Sequence, residues 1–170
     1  MPNIENILKH VRKGSLEKVK PLVSQYSPEQ LGQALRAAIV HNHHSCVAFL
    51  VPYVAVSQSV DAYNLTVLEH AFWTSIVHKK NKDFDCIFKH VDVTKNDSVF
   101  LYMACQSENL YAASHLVPFS NIEVVWEKME NQKLNKECFD IIRQDYEAFQ
   151  QNQLLNSMVE RKSGFTQRKL

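Results

Sequence analysis

The sequence predicts an all-α protein built from repeated pairs of short helices, and three observations lead to this prediction. Of its 170 residues, 45% are hydrophobic and 22% are charged, which is the balance of an ordinary globular chain. It has three glycines, too few for a Rossmann crossover, a phosphate-binding loop or a turn-rich β-sandwich. The third observation is an internal repeat, and repeats of this size indicate a helical solenoid.

The clearest repeat pairs LRAAIVHNHHSCVAFLVP, residues 35–52, with LYMACQSENLYAASHLVP, residues 101–118. The two segments align without gaps, Ala38 coincides with Ala104, and both end in Leu-Val-Pro. The offset is 66 residues, twice 33, and Ala71 lies midway between the two alanines. A small side chain at this position would let adjacent helices approach closely, so the alignment predicts a unit of about 33 residues.

Weaker copies on both sides complete about five units. Residues 7–23 superpose on 35–51 at an offset of 28, and residues 126–142 repeat the same apolar positions. The third unit is about four residues longer, and we place this insertion within VHKKNKD, residues 77–83. The units end near Val23, Val51, Phe88, Val117 and Ile142.

Each unit is predicted to form two helices joined by a polar turn. The first helix carries apolar residues three and four positions apart, as in Leu35, Ala38 and Ile39, and the second helix repeats this spacing. Neither helix could bury its stripe alone, so stacked neighbours would supply the core. Pro21 falls inside the second helix of the first unit, where it predicts a kink or a late start.

The period, the paired helices and the string ALRAAIVHNHHSCVAFLVP resemble ankyrin repeats, specifically the divergent type of bacterial and phage-related proteins. The resemblance covers residues 4–142, although the TPLH signature is absent. Gly14 occupies the usual turn-glycine place, and His43 occupies the usual turn-histidine place. Because that histidine typically hydrogen-bonds to neighbouring turn backbone in ankyrin-like units, the resemblance implies this role for His43.

The connections depart from the ankyrin pattern. Ankyrin units join through glycine-containing β-hairpins, whereas no glycine lies between Gly32 and Gly164. We therefore expect shortened fingers or plain loops, such as residues 53–64. Helical repeats of another kind, or an α-domain without repeats, are the structural alternatives.

The end of the repeats sets the predicted domain organisation. Residues 1–143 form the ankyrin-like repeats, residues 144–162 form one longer amphipathic helix, and residues 163–170 form a flexible basic tail. The helix is interpreted as a cap over the last unit, which every solenoid needs. Its alternative role is a dimerisation helix over residues 144–159, so the chain is predicted to be a monomer or a homodimer.

Charge, hydropathy and cysteine spacing narrow the functional classes. Nineteen basic against eighteen acidic residues argue against nucleic-acid binding through a broad phosphate footprint. No stretch approaches the roughly 18 apolar residues that span a bilayer, and the N-terminus has no signal-peptide pattern. We expect no membrane association and a cytoplasmic location, either in the cell of origin or in a host cell. The four cysteines form no CxxC pair and are expected to be reduced and buried.

The densest cluster of reactive side chains is HNHHSC, residues 41–46. A zinc site needs about four ligands converging on one point, whereas His43 and His44 are adjacent at a helix start and point in different directions. We interpret the segment as the turn between two helices and expect no metal or other cofactor. The mixed charges of HKKNKDFD, residues 78–85, favour a solvated excursion, with a binding loop as the alternative.

The predicted function is non-catalytic capture or blocking of a partner protein through the concave first-helix face and the inter-repeat loops. The resemblance adds an effector or inhibitor of a pathogen, phage or virus as the biological setting. Candidate partner-binding residues are Arg36, Val40, His41, Glu69, Trp73, Tyr102 and Gln106, because aromatic residues and arginine dominate interface hot spots. Packing between repeats is the competing interpretation of Trp73. A self-assembling structural or regulatory protein ranks second, and an enzyme with a Cys or His centre ranks third, because no HExxH or GxSxG motif occurs.

Overall fold

The structure is a computed structural model that describes residues 2–55, 65–94, 98–132 and 136–166. Over these ranges the chain forms helices and their connections, without a β-strand, which confirms the all-α prediction. The chain divides into two compact units, residues 1–96 and residues 97–170. In the described part of the chain, no helix has both the length and the apolar character needed to cross a membrane.

The first unit consists of three consecutive helix hairpins. Its helices are α1 (Ile4–Val11), α2 (Leu16–Val19), α3 (Pro28–Val40), α4 (His44–Val54), α5 (Val67–Val77) and α6 (Asn81–Phe88). The central helix α3 packs against α1, α4 and α5, and α4 also packs against α6. The predicted loop between α4 and α5 lies largely outside the described residues, at 56–64.

The second unit contains α7 (Val99–Gln106), α8 (Leu110–Leu116), α9 (Ile122–Gln132) and α10 (Lys136–Thr166). α7 packs against α8 and α9, and α10 packs against α8. The predicted start of the terminal helix at residue 144 falls inside α10, which is continuous from Lys136. Residues 163–166 of the predicted tail are helical, and residues 167–170 lie outside the described residues.

One type of turn closes four of the hairpins. In each turn an N–H donates to the carbonyl oxygen five residues earlier, at 2.8–3.0 Å; the pairs are Ser15 to His10, His43 to Ala38, Lys80 to Ser75 and Asn109 to Ala104. The residue before each donor has a left-handed φ between 53° and 64°; these residues are Gly14, Asn42, Lys79 and Glu108. This is the Schellman arrangement, which satisfies the last carbonyl groups of a helix. Each donor residue then occupies the N-cap position of the next helix, and the Asn109 side chain accepts a hydrogen bond from the Ala112 N–H there.

HNHHSC is therefore a turn between two helices, as predicted, and it matches KGSLEK (13–18) and SENLYA (107–112).

The third hairpin corrects the predicted alignment of the third unit with its neighbours. Its turn, HKKNKD (78–83), has the same length as the others, so the insertion placed in VHKKNKD is wrong. The extra residues instead precede α5, in the connection over residues 55–66.

The corrected register makes Ser75, and not Ala71, the counterpart of Ala38 and Ala104. Ser75 is fully buried, and its hydroxyl donates to the Phe72 carbonyl oxygen at 2.6 Å. Three of the four hairpins therefore have a small side chain at this position, whereas the first has His10. The one polar group of the Ser75 side chain is satisfied within α5.

Gly32 brings α3 and α5 into close contact. A Cβ at this glycine would lie 1.9 Å from the Val67 Cγ1 atom, so a larger residue would force the Val67 side chain or one of the helices to move. Gly32 lies in the first half of α3 and Val67 is the first residue of α5, so the contact joins the N-terminal parts of the two helices.

Pro21 alters the second helix of the first unit in a way that differs from both predicted outcomes. α2 begins at Leu16 without delay, ends at Val19, and continues as a 3-10 segment over Lys20–Gln25. Because proline lacks an N–H and its ring clashes with the preceding turn, the α-helical hydrogen bonds end before Pro21 and the chain tightens into a 3-10 segment. A second 3-10 segment, Val117–Phe119, contains Pro118 and follows α8 in the same manner.

Candidate protein-binding surface

The predicted recognition residues belong to both units. Val40 is 42% exposed and His41 is also exposed, whereas Arg36 and Trp73 are half-buried. These residues and Glu69 lie in the first unit. In the second unit, Tyr102 is half-buried on α7 and Gln106 is exposed at its last residue.

The assignment of Glu69 to the recognition surface is wrong. Glu69 is only 5% exposed, and its carboxylate accepts a hydrogen bond from the Thr66 backbone N–H at 2.6 Å. The Thr66 hydroxyl accepts in return from the Glu69 N–H at 3.2 Å, which completes a capping box at the start of α5. The sequence TVLE, residues 66–69, carries the signature of this box, so the correct role was readable locally.

The corrected alignment of α5 with α3 explains why Glu69 was assigned to the recognition surface. Ser75 matches Ala38, so Trp73 occupies the place of Arg36. By the same count, Val77 matches Val40, and His78 matches His41. Val77 is 39% exposed and His78 is also exposed. Sequence reasoning missed both residues, although HNHH and HKKN, which begin at residues 41 and 78, both start with histidine.

A groove of about 260 Å³ runs along α5 and is lined by residues that recur every three or four positions. Its lining consists of His70, Trp73, Thr74, Val77 and His78, which we call the α5 groove. The Trp73 indole stacks on the His70 imidazole, with ring centroids 5.8 Å apart and planes 10° apart. The groove lies on the side of α5 away from the core, because the intervening residues Phe72 and Ile76 are fully buried.

The three histidines of HNHHSC have three different environments. His43 Nε2 lies 2.9 Å from the Arg12 carbonyl oxygen, so this nitrogen carries the proton and donates. The imidazole also covers Gly14, where a Cβ would lie 2.5 Å from Nδ1. The contact joins two successive turns, and it confirms the turn-backbone role that the resemblance implied for His43. His41 remains exposed and stacks on the His43 ring, with centroids 6.3 Å apart.

His44 joins the second hairpin to the third. Its Nδ1 atom lies 2.7 Å from Asp83 Oδ1, and the Asp83 side chain is 1% exposed while His44 is 46% exposed. The other carboxylate oxygen of Asp83 has no hydrogen-bond partner among the described residues. HKKNKDFD is therefore a regular turn followed by α6, and the interpretation as a solvated excursion is wrong for Asp83. The described residues contain no group of three or more side chains able to bind a metal ion.

These contacts place the three turns of the first unit side by side. The His43 bond connects the first turn to the second, and the pair formed by His44 and Asp83 connects the second to the third. We call the residues of these turns, 12–14, 41–43 and 78–80, the turn edge. Because the α5 groove ends at His78, where the third turn begins, the groove and the turn edge are continuous.

The turn edge is basic. None of its nine positions is acidic in the sequence, and it includes Arg12, Lys13, Lys79 and Lys80. Arg12 pairs with Glu5 at 3.2 Å, whereas Lys13, Lys79 and Lys80 form no salt bridge within the described part of the chain. Lys82, in the first turn of α6, is exposed beside them.

The cysteines whose side chains the structure describes are buried or half-buried. Cys46 and Cys105 are buried, Cys86 is half-buried, and Cys138 lies outside the described side chains. Burial raises the pKa of the Cys46 thiol and of the Cys86 thiol; for Cys86, Lys89 lowers it and Asp83 raises it further. These two thiols therefore stay protonated at neutral pH, which is the opposite of an activated nucleophile.

No protein-family model, no curated protein and no solved structure matches the chain. In the first unit, the structure brings Trp73 into the α5 groove and keeps Arg36, Val40 and His41 on the outer side of the adjacent helix α3. Tyr102 and Gln106 belong to the second unit.

Proposed function

We propose that this protein is a non-catalytic protein-binding module that captures or blocks a partner through the outer face of its first helices. The observation that carries the proposal is the α5 groove, in which a half-buried Trp73 lies beside the exposed Val77. Tryptophan held on a rigid helix has few rotamers to lose on binding, and its large surface makes it a frequent hot spot.

We further propose that the hairpins stack as an ankyrin-like solenoid of about five units, with α10 as its cap. Four hairpins share one turn geometry, and in the first unit α3 packs between α1 and α5 as consecutive repeats do. The proposed setting is a cytoplasmic effector or inhibitor, which follows from the resemblance to bacterial and phage-type repeats. The raised thiol pKa of Cys46 and Cys86 favours binding over cysteine chemistry.

Affinity capture from the native host tests the proposal. We expect Trp73→Ala and Arg36→Glu to abolish capture of the partner and to leave the melting temperature unchanged. Tyr53→Ala is the matched control, because Tyr53 is an aromatic residue of the same unit that is 42% exposed on a different helix. Capture that survives both substitutions would refute the proposal, and a lower melting temperature of Trp73→Ala would assign Trp73 to packing.

Self-assembly through the terminal helix is the second candidate function, and one observation favours it. Leu154 and Leu155 are 62% and 59% exposed on α10. Adjacent exposed leucines on a helix are a common feature of helix–helix interfaces. Truncation of α10 after Phe149 distinguishes self-assembly from a capping role.

A further inference from the structure

We infer that the partner segment is acidic and carries a bulky apolar residue, which enters the α5 groove while its carboxylates lie along the turn edge. The inference rests on the proposed function and names the chemistry of the partner. It combines two features that meet at His78: an apolar groove and a row of lysine-bearing turns.

The α5 groove fits a single side chain. Its volume of about 260 Å³ is below the roughly 300–1,000 Å³ of typical small-molecule sites. Trp73, Val77 and the methyl group of Thr74 provide apolar walls, because the Thr74 hydroxyl is turned to the His70 carbonyl oxygen at 2.8 Å. A leucine, methionine or phenylalanine side chain satisfies such walls, and a polar side chain would lose its hydration there.

The surroundings of the groove favour negative charge in the partner. Lys79, Lys80 and Lys82 follow directly on its C-terminal end. Two nearby carboxylates are engaged within the protein and do not face an acidic partner. The Glu69 carboxylate is held in the capping box, and the Asp83 carboxylate is buried against His44. The exposed acidic residue that remains in this stretch is Asp85, on α6.

The lysines of the turn edge lie on turns that are held together by side-chain contacts. The His43 bond to the first turn and the pair formed by His44 and Asp83 hold the three turns in a row. A row of positive charges on rigid turns attracts an extended acidic segment and fixes its register, because complementary charge steers association. Lys13 extends this row to the first turn.

The same surface is less suited to single-stranded nucleic acid. Nucleic-acid binding without sequence preference relies on open aromatic faces on which bases stack. One face of the Trp73 indole is covered by His70, at an interplanar angle of 10°. The one arginine of the turn edge, Arg12, pairs with Glu5. We therefore favour a protein segment.

The test starts from a random peptide library displayed on phage and selected on the immobilised full-length chain. We expect the enriched peptides to share one bulky apolar residue with two or more aspartates or glutamates near it. Synthetic copies of these peptides are then titrated against the full-length chain by fluorescence anisotropy. We expect affinity to fall with salt, because the carboxylates are proposed to pair with exposed lysines.

Variants of the chain separate the two features. We expect Trp73→Ala and the double charge reversal Lys79→Glu, Lys82→Glu each to weaken peptide binding at least about tenfold. Tyr53→Ala and Lys18→Glu are matched controls, since both change exposed residues of the same unit on other helices, and they should leave affinity unchanged. If Trp73→Ala lowers the melting temperature, Thr74→Trp replaces it, because a bulky residue at the half-buried Thr74 fills the groove.

Several outcomes would overturn the inference: no enrichment, enrichment of basic or uncharged peptides, or binding that is indifferent to the lysine reversal. Tighter binding of a fluorescent oligothymidylate than of the peptides, lost in Trp73→Ala, would replace it with nucleic-acid recognition. The proposed function fails separately. If capture of a host protein depends on Trp73 while no acidic peptide is selected, the binding function stands and only the acidic partner is refuted.

Discussion

Gly14 shows that a glycine in a left-handed turn is required for its space and not only for its φ. Asn42, Lys79 and Glu108 occupy the same turn position at φ between 53° and 62°, so other residues accept this backbone. At Gly14, however, the His43 imidazole fills the position of a Cβ. The residue type is therefore decided by the neighbouring turn, 29 residues later in the chain.

We expect Gly14→Ala to lower the free energy of unfolding by about 1–3 kcal/mol, because a left-handed φ costs an L-residue about 1–2 kcal/mol and the His43 ring must move. Urea unfolding followed by circular dichroism measures the change. Asn42→Gly is the control at the equivalent, exposed position of the next turn, and it should change stability by less than about 1 kcal/mol. Equal stability of Gly14→Ala and the unmodified chain would contradict the contact with His43.

His44 and Asp83 form a polar pair that the local sequence does not predict, because the two residues meet only in the folded chain. Removing His44 deprives a carboxylate that is 1% exposed of its donor at 2.7 Å. We expect His44→Ala to cost about 1–3 kcal/mol of stability, the usual penalty of an unsatisfied buried group. His41→Ala, a change to an exposed histidine three residues earlier, should be nearly neutral. A double-mutant cycle with Asp83→Asn measures the coupling, and a coupling of zero would show that the pair contributes nothing.

At the scale of helices, the turn and not the alanine sets the register of the repeat. The sequence contains Ala71 one helical turn before Ser75, so the alanine spacing of 33 residues shifted α5 by four positions. Four residues are close to the 3.6 residues of one helical turn, so the shift moved side chains along the helix while leaving them near the same face. Trp73 therefore stayed on the outer face, whereas Glu69 fell on the N-terminal cap.

The α3–α5 interface provides a test at this scale. Alanine has a helix propensity about 1 kcal/mol better than glycine, yet we expect Gly32→Ala to destabilise the protein by about 1–3 kcal/mol. The reason is the distance of 1.9 Å between the new Cβ and Val67 Cγ1. Adding Val67→Ala should restore most of the loss. The melting temperatures of the single and double variants test this expectation. A higher melting temperature for Gly32→Ala would show that the two helices are not in close contact.

For the whole molecule, α10 combines a packed part and an exposed part in one helix. Ile142 is 1% exposed, and the Trp126 and Tyr146 rings meet edge-on at a centroid distance of 6.3 Å. Residues 150–156 are all exposed. The packed part is consistent with the proposed cap, and the exposed part is the segment to which the alternative proposal, self-assembly, assigns the binding of a second copy.

Truncation within α10 distinguishes the two roles. We expect light scattering to show a monomer for the full chain and for a chain that ends at Phe149. The shorter chain should also keep the unfolding midpoint of the full chain. A chain that ends at Gln132 should unfold more easily, because it loses the buried Ile142. A dimer that becomes a monomer on truncation after Phe149 would instead support self-assembly through residues 144–159.

The sequence by itself determined the helical class, the turn role of HNHHSC and most of the buried stripes. These follow from local rules: the 3.6-residue period, the scarcity of glycine, and the polar residues that end and begin helices. The effect of Pro21 was also local, although the chain forms a 3-10 segment over Lys20–Gln25 where the sequence predicted a kink or a late start.

Only the tertiary structure decided which residues meet across the hairpins. His43 reaches a carbonyl 31 residues away, and His44 reaches a carboxylate 39 residues away. It also decided the register of α5, and with it the exclusion of Glu69 and the addition of Val77 to the groove. The physical reason is that a helical period specifies which side of a helix is buried, whereas the height of one helix against the next is fixed by contacts such as that of Gly32 with Val67.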